Sequence, residues 1–307
     1  MKLALAPIPY FWSADAISAF YDRVADWPVD IVYLGETICG KRRILALEDW
    51  LTIGQRLTEA GKQVVLSTMA LLEADSELAT LARICANGVF PVEANDVGAI
   101  RLLTEPAEPA PTPTPFIIGP HINAYNVGAL SLLSALGAMR WVMPPELPRT
   151  TLADLQETRP AGIETEVFVY GRLPLAFSAR CFAARAHNRP KDQCDFCCGN
   201  YPDGLPLATQ EAQALFTING IQVQSAGPCN LLMALETLRD LKVDILRIVP
   251  QSQDMAAVVR AFHGALSGET TVRAALDALP PPGPRGWCNG YWEGEAGMLF
   301  MEEEEGH

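Results

Sequence analysis

Residues 30–67 read DIVYLGETICGKRRILALEDWLTIGQRLTEAGKQVVLS and contain one complete strand–helix–strand unit. Residues 31–34 and 64–67 are short apolar runs of the kind that form buried parallel strands. Residues 48–60 between them have the pattern of a helix, and Gly61 follows as a typical helix terminator. This unit therefore predicts a parallel sheet whose strands are connected by helices.

The same unit recurs along most of the chain. Further strands are predicted at residues 3–6, 90–93, 116–119, 141–143, 167–170 and 245–249, and further helices at residues 14–25, 75–86, 127–136, 152–157, 231–241 and 255–266. Asn126 and Asp254 are candidate N-caps. Successive strands begin 28, 33, 26, 26, 25, 26 and then 78 residues apart. Eight strands at mostly even spacing predict a (β/α)₈ TIM-like barrel, with a doubly wound open sheet as the alternative.

The long interval after the seventh strand predicts a cysteine-bearing insertion at residues 171–228, within a barrel domain that spans residues 1–279. Inside the insertion, residues 215–225 predict a hairpin around the turn dipeptide Asn219-Gly220. Proline-rich residues 105–115 predict a surface loop, with a polyproline segment for a partner as the alternative. Residues 280–307 are predicted to form a short C-terminal extension that ends in an acidic tail.

Composition restricts the possible partners. The 307 residues include 23 Lys and Arg against 36 Asp and Glu, a formal charge of −13. This balance argues against a nucleic-acid groove or an anionic membrane surface, since both require clustered basic side chains. No stretch approaches the ~20 apolar residues of a transmembrane helix. The N-terminal apolar run is short and broken by Pro7 and Pro9, so it is interpreted as a first strand and not a signal peptide. We expect a cytoplasmic protein with reduced cysteines.

Four of the eight cysteines lie within 18 residues, namely Cys181, Cys194, Cys197 and Cys198. Thiolates this close can share one metal centre, and iron–sulfur clusters take four thiolates with loose spacing and often a distant ligand. Zinc is an alternative, through Cys194 paired with Cys197 or Cys198. Buried free thiols are another. Neighbouring basic side chains are expected to lower the pKa of these thiols: Arg180, Arg185, Arg189 and Lys191.

The predicted barrel supplies a distant ligand. In this fold the functional face is built from the loops that follow the strands. Cys39 follows the second strand and the insertion follows the seventh, so both open onto the same mouth. Cys85, Cys229 and Cys288 are interpreted as structural, since Cys85 lies late in a helix and the other two lack close neighbours in the sequence.

Other polar side chains are expected at the same face. Candidates to bind a polar or anionic small molecule follow several strands: Arg43, Glu93, His121, Asn123 and Glu146. His121 has no evident partner, so no catalytic acid or base is assigned. The sequence contains no nucleophile elbow, Walker loop or dinucleotide fingerprint.

Six segments resemble the U32 family, historically labelled peptidases: residues 33–43, 61–71, 140–147, 170–181, 190–198 and 289–292. They span nearly the whole chain and are most similar to the branch of the family that serves ubiquinone biosynthesis. Many family members have a Leu-Cys pair where this chain has Leu173-Pro174. The ubiquinone branch replaces that missing cysteine with the one after the second strand, here Cys39.

The resemblance implies a [4Fe–4S] cluster held by Cys39, Cys181, Cys194 and Cys198, since the family spacing favours Cys198 over Cys197. It also implies oxygen-independent hydroxylation of a quinone precursor, in a heterodimer with a UbiU-like paralogue and alongside a UbiT-like lipid carrier. Related members hydroxylate RNA bases with prephenate as oxygen donor, which fits this acidic chain less well. The alternatives are a non-catalytic iron–sulfur scaffold or electron-transfer subunit, and a U32-type peptidase.

Overall fold

The computed structural model describes residues 1–105 and 114–301. Its strands are β1 (Lys2–Leu5), β2 (Ile31–Leu34), β3 (Gln63–Ser67), β4 (Val92–Ala94), β5 (Phe116–Ile118), β6 (Ala138–Val142), β7 (Glu164–Phe177), β8 (Leu205–Ala208), β9 (Ala214–Asn219), β10 (Gln222–Asn230) and β11 (Ile245–Ile248). Strands β1 to β7 pair in parallel in chain order, and β11 pairs in parallel with both β1 and β7. The ring is therefore a closed eight-stranded barrel, which confirms the TIM-like prediction and excludes the open sheet.

The helices are α1 (Ala14–Val24), α2 (Leu47–Glu59), α3 (Asp75–Cys85), α4 (Val97–Thr104), α5 (Val127–Ala135), α6 (Arg149–Thr158), α7 (Phe182–Ala186), α8 (Leu235–Asp240), α9 (Met255–Ser267), α10 (Val272–Asp277) and α11 (Gly290–Glu293). Two predicted N-caps are confirmed, because Asn126 accepts from the Ala129 N–H and Asp254 from the Ala257 N–H. Helix α4 is absent from the prediction, although Asp96 caps it by accepting from the Gly98 N–H.

Alternate residues of the barrel strands face opposite sides of the sheet. One set packs outward under the helices and forms the large core that includes Leu3, Val32 and Leu66. The other set fills the barrel interior and includes Ala4 and Tyr33. No helix of the described residues is long and apolar enough to cross a membrane.

Strand β7 pairs both within the barrel and within an antiparallel extension of the same sheet. Its first half pairs with β11 inside the barrel, and its second half continues out of the mouth and pairs antiparallel with β10. The change occurs at Gly171, where φ is +126° and an added Cβ would lie 2.8 Å from the Cβ of Val249. Only glycine fits this position without strain. Strands β10, β9 and β8 complete an antiparallel extension over the barrel mouth.

The predicted hairpin is present within that extension. Strands β9 and β10 pair through Asn219 and Gln222, with a two-residue loop that starts at Gly220, where φ is +64°. The C-terminal extension packs against the barrel. Trp292 is buried, and the backbone of Cys288 forms an isolated parallel β-bridge with that of Cys229. Most of the predicted proline-rich loop (residues 106–113) and the acidic tail (residues 302–307) lie outside the described residues.

Candidate metal centre

The loop after β2 carries Cys39 and is held by one carboxylate. Glu36 Oε1 accepts hydrogen bonds from the backbone N–H groups of Ile38 and Cys39 at 2.8 and 3.0 Å. Arg42 lies 3.9 Å from the same oxygen. Two backbone bonds to a single oxygen fix the direction in which the Cys39 side chain leaves the loop.

Cys181 lies where the chain turns from β7 into α7. It is the N-cap residue of α7, and its sulfur accepts from the Ala184 N–H at 3.4 Å. The side chain is 8% exposed. A helix N-terminus favours negative charge, so this position suits a thiolate.

Cys194, Cys197 and Cys198 lie around two short 3₁₀-helices, Lys191–Gln193 and Cys197–Asn200. Between them, Asp195 and Phe196 both adopt left-handed backbone conformations, with φ of 45° and 51°. Consecutive non-glycine residues in this region are unusual and reverse the chain sharply. Phe196 is stabilised there by stacking on Phe11, with ring centroids 5.3 Å apart.

Two basic side chains, Lys41 and Arg42, connect the Cys39 loop to the insertion. Lys41 Nζ donates to the carbonyl of Lys191 at 2.8 Å, and Arg42 Nη2 donates to Asn219 Oδ1 at 2.8 Å. Lys191 in turn pairs with Glu73 in the β3–α3 loop. These contacts hold together segments that are about 150 residues apart in the chain.

The structure brings the four predicted ligands into one cluster. Cys39, Cys181, Cys194 and Cys198 pack with Cys197 around buried apolar side chains: Ile38, Ala183, Ala184, Ile218 and Ile221. Burial is the main cause that raises the pKa of Cys181, and the thiolates of Cys198, Cys39 and Cys194 raise it further. Cys181 therefore lies near the other three members of the predicted set.

Cys197 faces a different environment. Burial raises its pKa, and the charged groups that affect it most are Cys198, Cys194 and Arg189. Burial is also the main cause that raises the pKa of Cys39. The expected effect of the basic neighbours is present but smaller, since Lys191 lowers the pKa of Cys39 and Arg189 lowers that of Cys197, and burial outweighs both.

The other three cysteines lie outside this cluster. Cys85 is at the end of α3, and burial raises its pKa to about 12. Cys229 and Cys288 are neighbours across a parallel bridge, both buried and both free thiols. The sequence places them 59 residues apart, so their contact is visible only once the C-terminal extension is folded onto β10.

The donor chemistry fits an iron–sulfur cluster, which takes four thiolates, and it also fits zinc, which takes thiolates as well. Over residues 1–105 and 114–301, no group of three or more His, Cys, Asp or Glu side chains is close enough together to hold one metal ion. Four thiols in an apolar shell, with Arg42 beside Cys198, are the donors and the charge that such a cluster requires.

A polar cavity of about 60 Å³ lies at the barrel mouth behind Ile38. Glu93 is fully buried in its wall, accepts from Ser67 Oγ at 2.6 Å and pairs with Arg247 at 2.8 Å. Arg247 also pairs with the buried Glu166 at 2.9 Å. Arg247 and Glu166 are not among the residues predicted from sequence, although a charged residue within or next to an apolar strand is a signal that could have identified them.

The predicted small-molecule residues separate into three places. Glu93 and His121 line the polar cavity, where burial and Arg247 lower the pKa of His121 to about 4. Arg43 is exposed, donates to Gly40 O and Ser76 Oγ, and lies at a different pocket between α2 and α3. Asn123 and Glu146 are exposed and do not line the polar cavity, and Glu146 accepts from Tyr125.

Solved structures similar to this chain include the following three. A U32 peptidase is 10% identical, with 82% of this chain and 94% of that chain covered and a TM-score of 0.45. The tryptophan synthase α-subunit of Pyrococcus furiosus is 12% identical, with 90% and 94% covered and a TM-score of 0.43. Dihydropteroate synthase of Anaplasma phagocytophilum is 9% identical, with 91% and 99% covered and a TM-score of 0.39.

A family model matches far more of the sequence than any single motif. The model for peptidase family U32 matches residues 12–297, which include the barrel from α1 onward, the insertion and most of the C-terminal extension. The chain therefore belongs to peptidase family U32.

Proposed function

We propose that the chain is a UbiV-type [4Fe–4S] protein of the U32 family that acts in oxygen-independent hydroxylation during ubiquinone biosynthesis. Cys39, Cys181, Cys194 and Cys198 would hold the cluster. The observation that carries this proposal is the convergence of one cysteine from the β2 loop and three from the insertion in a single apolar shell. The resemblance to the ubiquinone branch supports the substrate class.

When bound, a cluster of this type supplies one-electron transfer. The protein's own residues would shield the thiolates from water and offset their negative charge. Ile38, Ile218 and Ile221 limit the access of water to the thiolates, because all three are buried in the same shell. Arg42 is buried beside Cys198, and its positive charge offsets part of the negative charge of four thiolates.

The proposal includes partners and a compartment. We infer that the chain acts in the cytoplasm, as a heterodimer with a UbiU-like paralogue and with a UbiT-like carrier that presents the lipid-soluble quinone precursor. The acidic composition supports a substrate other than nucleic acid, since a net charge of −13 repels a phosphate backbone.

The cluster is tested by anaerobic purification followed by iron and sulfide analysis. We expect a brown protein with about four irons per chain. Cys39→Ser should abolish the visible absorption, whereas Cys85→Ser should retain it because Cys85 lies at the far end of α3. A colourless protein that holds one zinc per chain would contradict the cluster assignment.

The reaction is tested by anaerobic co-expression with the paralogue and assay of a quinone precursor. Hydroxylation should require both chains and should be lost with Cys39→Ser. Full activity with the cluster-free variant would instead support a scaffold role. Peptide cleavage by the purified chain would support the peptidase function that the family name suggests.

A further inference from the structure

A pocket of about 240 Å³ opens between α2 and α3, and Cys39 forms part of its wall. Its floor is made by buried Leu34 and Leu66 from the barrel strands. Trp50 and Leu72 in its sides are only partly buried, so they leave apolar surface uncovered inside a concave site. An apolar pocket with a few polar groups is the usual form of a small-molecule site.

Several polar side chains at this pocket already have partners within the protein, among them Glu77 and Ser67. Glu77 Oε2 accepts from the backbone N–H groups of Glu73 and Ala74, and Ser67 donates to Glu93. These groups maintain the local structure and do not require a ligand to satisfy them.

Arg42 differs from these two side chains. It lines the same pocket and is 3% exposed, and its Nε has no hydrogen-bond partner among the residues that the structure describes. Its other nitrogens donate to Pro9 O and Asn219 Oδ1. A buried, unpartnered N–H of a guanidinium is unfavourable, and an oxygen atom of a ligand would satisfy it.

We propose that this α2–α3 pocket binds a phenol that carries an apolar chain, an inference that rests on the proposed quinone-precursor hydroxylation. The aliphatic and aromatic walls would hold the chain and one ring face, and Arg42 would donate to the single phenolic oxygen. The pocket shares Cys39 with the proposed cluster, so a ligand here lies directly beside the redox centre. The polar cavity at the barrel mouth has about a quarter of this volume, which is too small for such a molecule.

The test measures binding of 2-geranylphenol to the anaerobically purified holoprotein by equilibrium dialysis. We expect saturable binding of one molecule per chain, and binding of unsubstituted phenol at least tenfold weaker. Leu47→Trp and Leu72→Trp fill the pocket from two different walls and should each weaken geranylphenol binding at least tenfold. The control is Leu132→Trp on α5, where the native leucine is 63% exposed and lies outside the pocket. It should bind like the wild type.

Iron content is measured on the same samples, so the two proposals fail separately. A protein with full iron but no saturable geranylphenol binding would overturn the pocket assignment alone. The pocket assignment would also be overturned if Leu47→Trp and Leu72→Trp both bound geranylphenol as tightly as the wild type. The opposite result is a protein without iron that still binds geranylphenol saturably and binds it more weakly in the two pocket variants. That result would support the pocket assignment and overturn the cluster assignment.

Discussion

Lys41 Nζ donates to the backbone carbonyl of Lys191 at 2.8 Å, and this bond joins the loop of Cys39 to the loop of Cys194. The two lysines are 150 residues apart in the chain. The bond lies next to the proposed cluster without belonging to its ligands, so it is a direct way to change the spacing of the two cysteine loops.

Lys41→Met should shorten the lifetime of the cluster in air while leaving iron loading under anaerobic conditions near the wild-type value. The loss of one hydrogen bond to a charged donor costs about 1–3 kcal/mol of stability. Lys62→Met is a matched control, because Lys62 Nζ also donates to a backbone carbonyl, that of Trp27 at 2.6 Å. Decay of the visible absorption in both variants is the measurement, and equal lifetimes would contradict a role of Lys41 in positioning the loops.

Cys197 and Cys198 are adjacent in the chain, but their surroundings differ. Cys198 lies beside Arg42 and raises the pKa of Cys181, whereas the pKa of Cys197 is raised mainly by burial and then by its sequence neighbours Cys198 and Cys194. Cys198→Ser should therefore lose most of the bound iron, and Cys197→Ser should keep it. Iron analysis after anaerobic purification decides between them, and the reverse pattern would assign the fourth ligand to Cys197.

His121 should make stability depend on pH in the acid range. Its pKa falls from an ordinary value near 6.5 to about 4, because burial and Arg247 disfavour the charged ring. The unfolded chain then binds a proton that the folded chain does not, so the free energy of unfolding decreases as pH falls from 6.5 towards 4. The ring is half-buried, and we expect a loss of about 1–2 kcal/mol over this range.

His121→Gln should remove that part of the pH dependence, as measured by urea unfolding between pH 4 and 7. His263→Gln on α9 controls for the loss of any histidine. Identical slopes for the wild type and His121→Gln would show that His121 titrates normally in the folded protein.

The charged residues inside the barrel should be sensitive to the loss of one partner. Glu166 is fully buried, pairs with Arg247 at 2.9 Å and accepts from Tyr33 Oη at 2.5 Å. Glu166→Gln leaves Arg247 and Arg140 with less negative charge in a low-dielectric interior, so it should cost about 3–5 kcal/mol. Glu105→Gln removes an exposed pair with Arg101 and should cost less than about 0.5 kcal/mol. Similar urea midpoints for the two variants would contradict this difference.

The barrel could be predicted from sequence because each strand of the ring is short, apolar and bounded by turn residues. Ile31–Leu34 is predicted without error, since all four residues are buried and every one of them is apolar. The charged interior could not be predicted in the same way. Glu166 and Arg247 become partners only through the register that places Ile245 opposite Glu166 across the closing strands.

The candidate metal centre could likewise be predicted from sequence only in part. Spacing alone could bring together Cys39 and the insertion, because both follow barrel strands. It could not decide between Cys197 and Cys198, since that choice depends on the left-handed conformations of Asp195 and Phe196 and on the contact of Phe196 with Phe11. A contact between residues 185 positions apart leaves no trace in local pattern.

Strand β7 belongs to both the barrel and the extension, and this has a consequence for the order of folding. During synthesis, Cys181, Cys194 and Cys198 emerge before β11, the strand that closes the ring between β1 and β7. The mouth that brings Cys39 close to them exists only after that last strand has paired. We therefore expect maturation of the metal centre to be a post-translational step, performed on a completed barrel and not on the nascent chain.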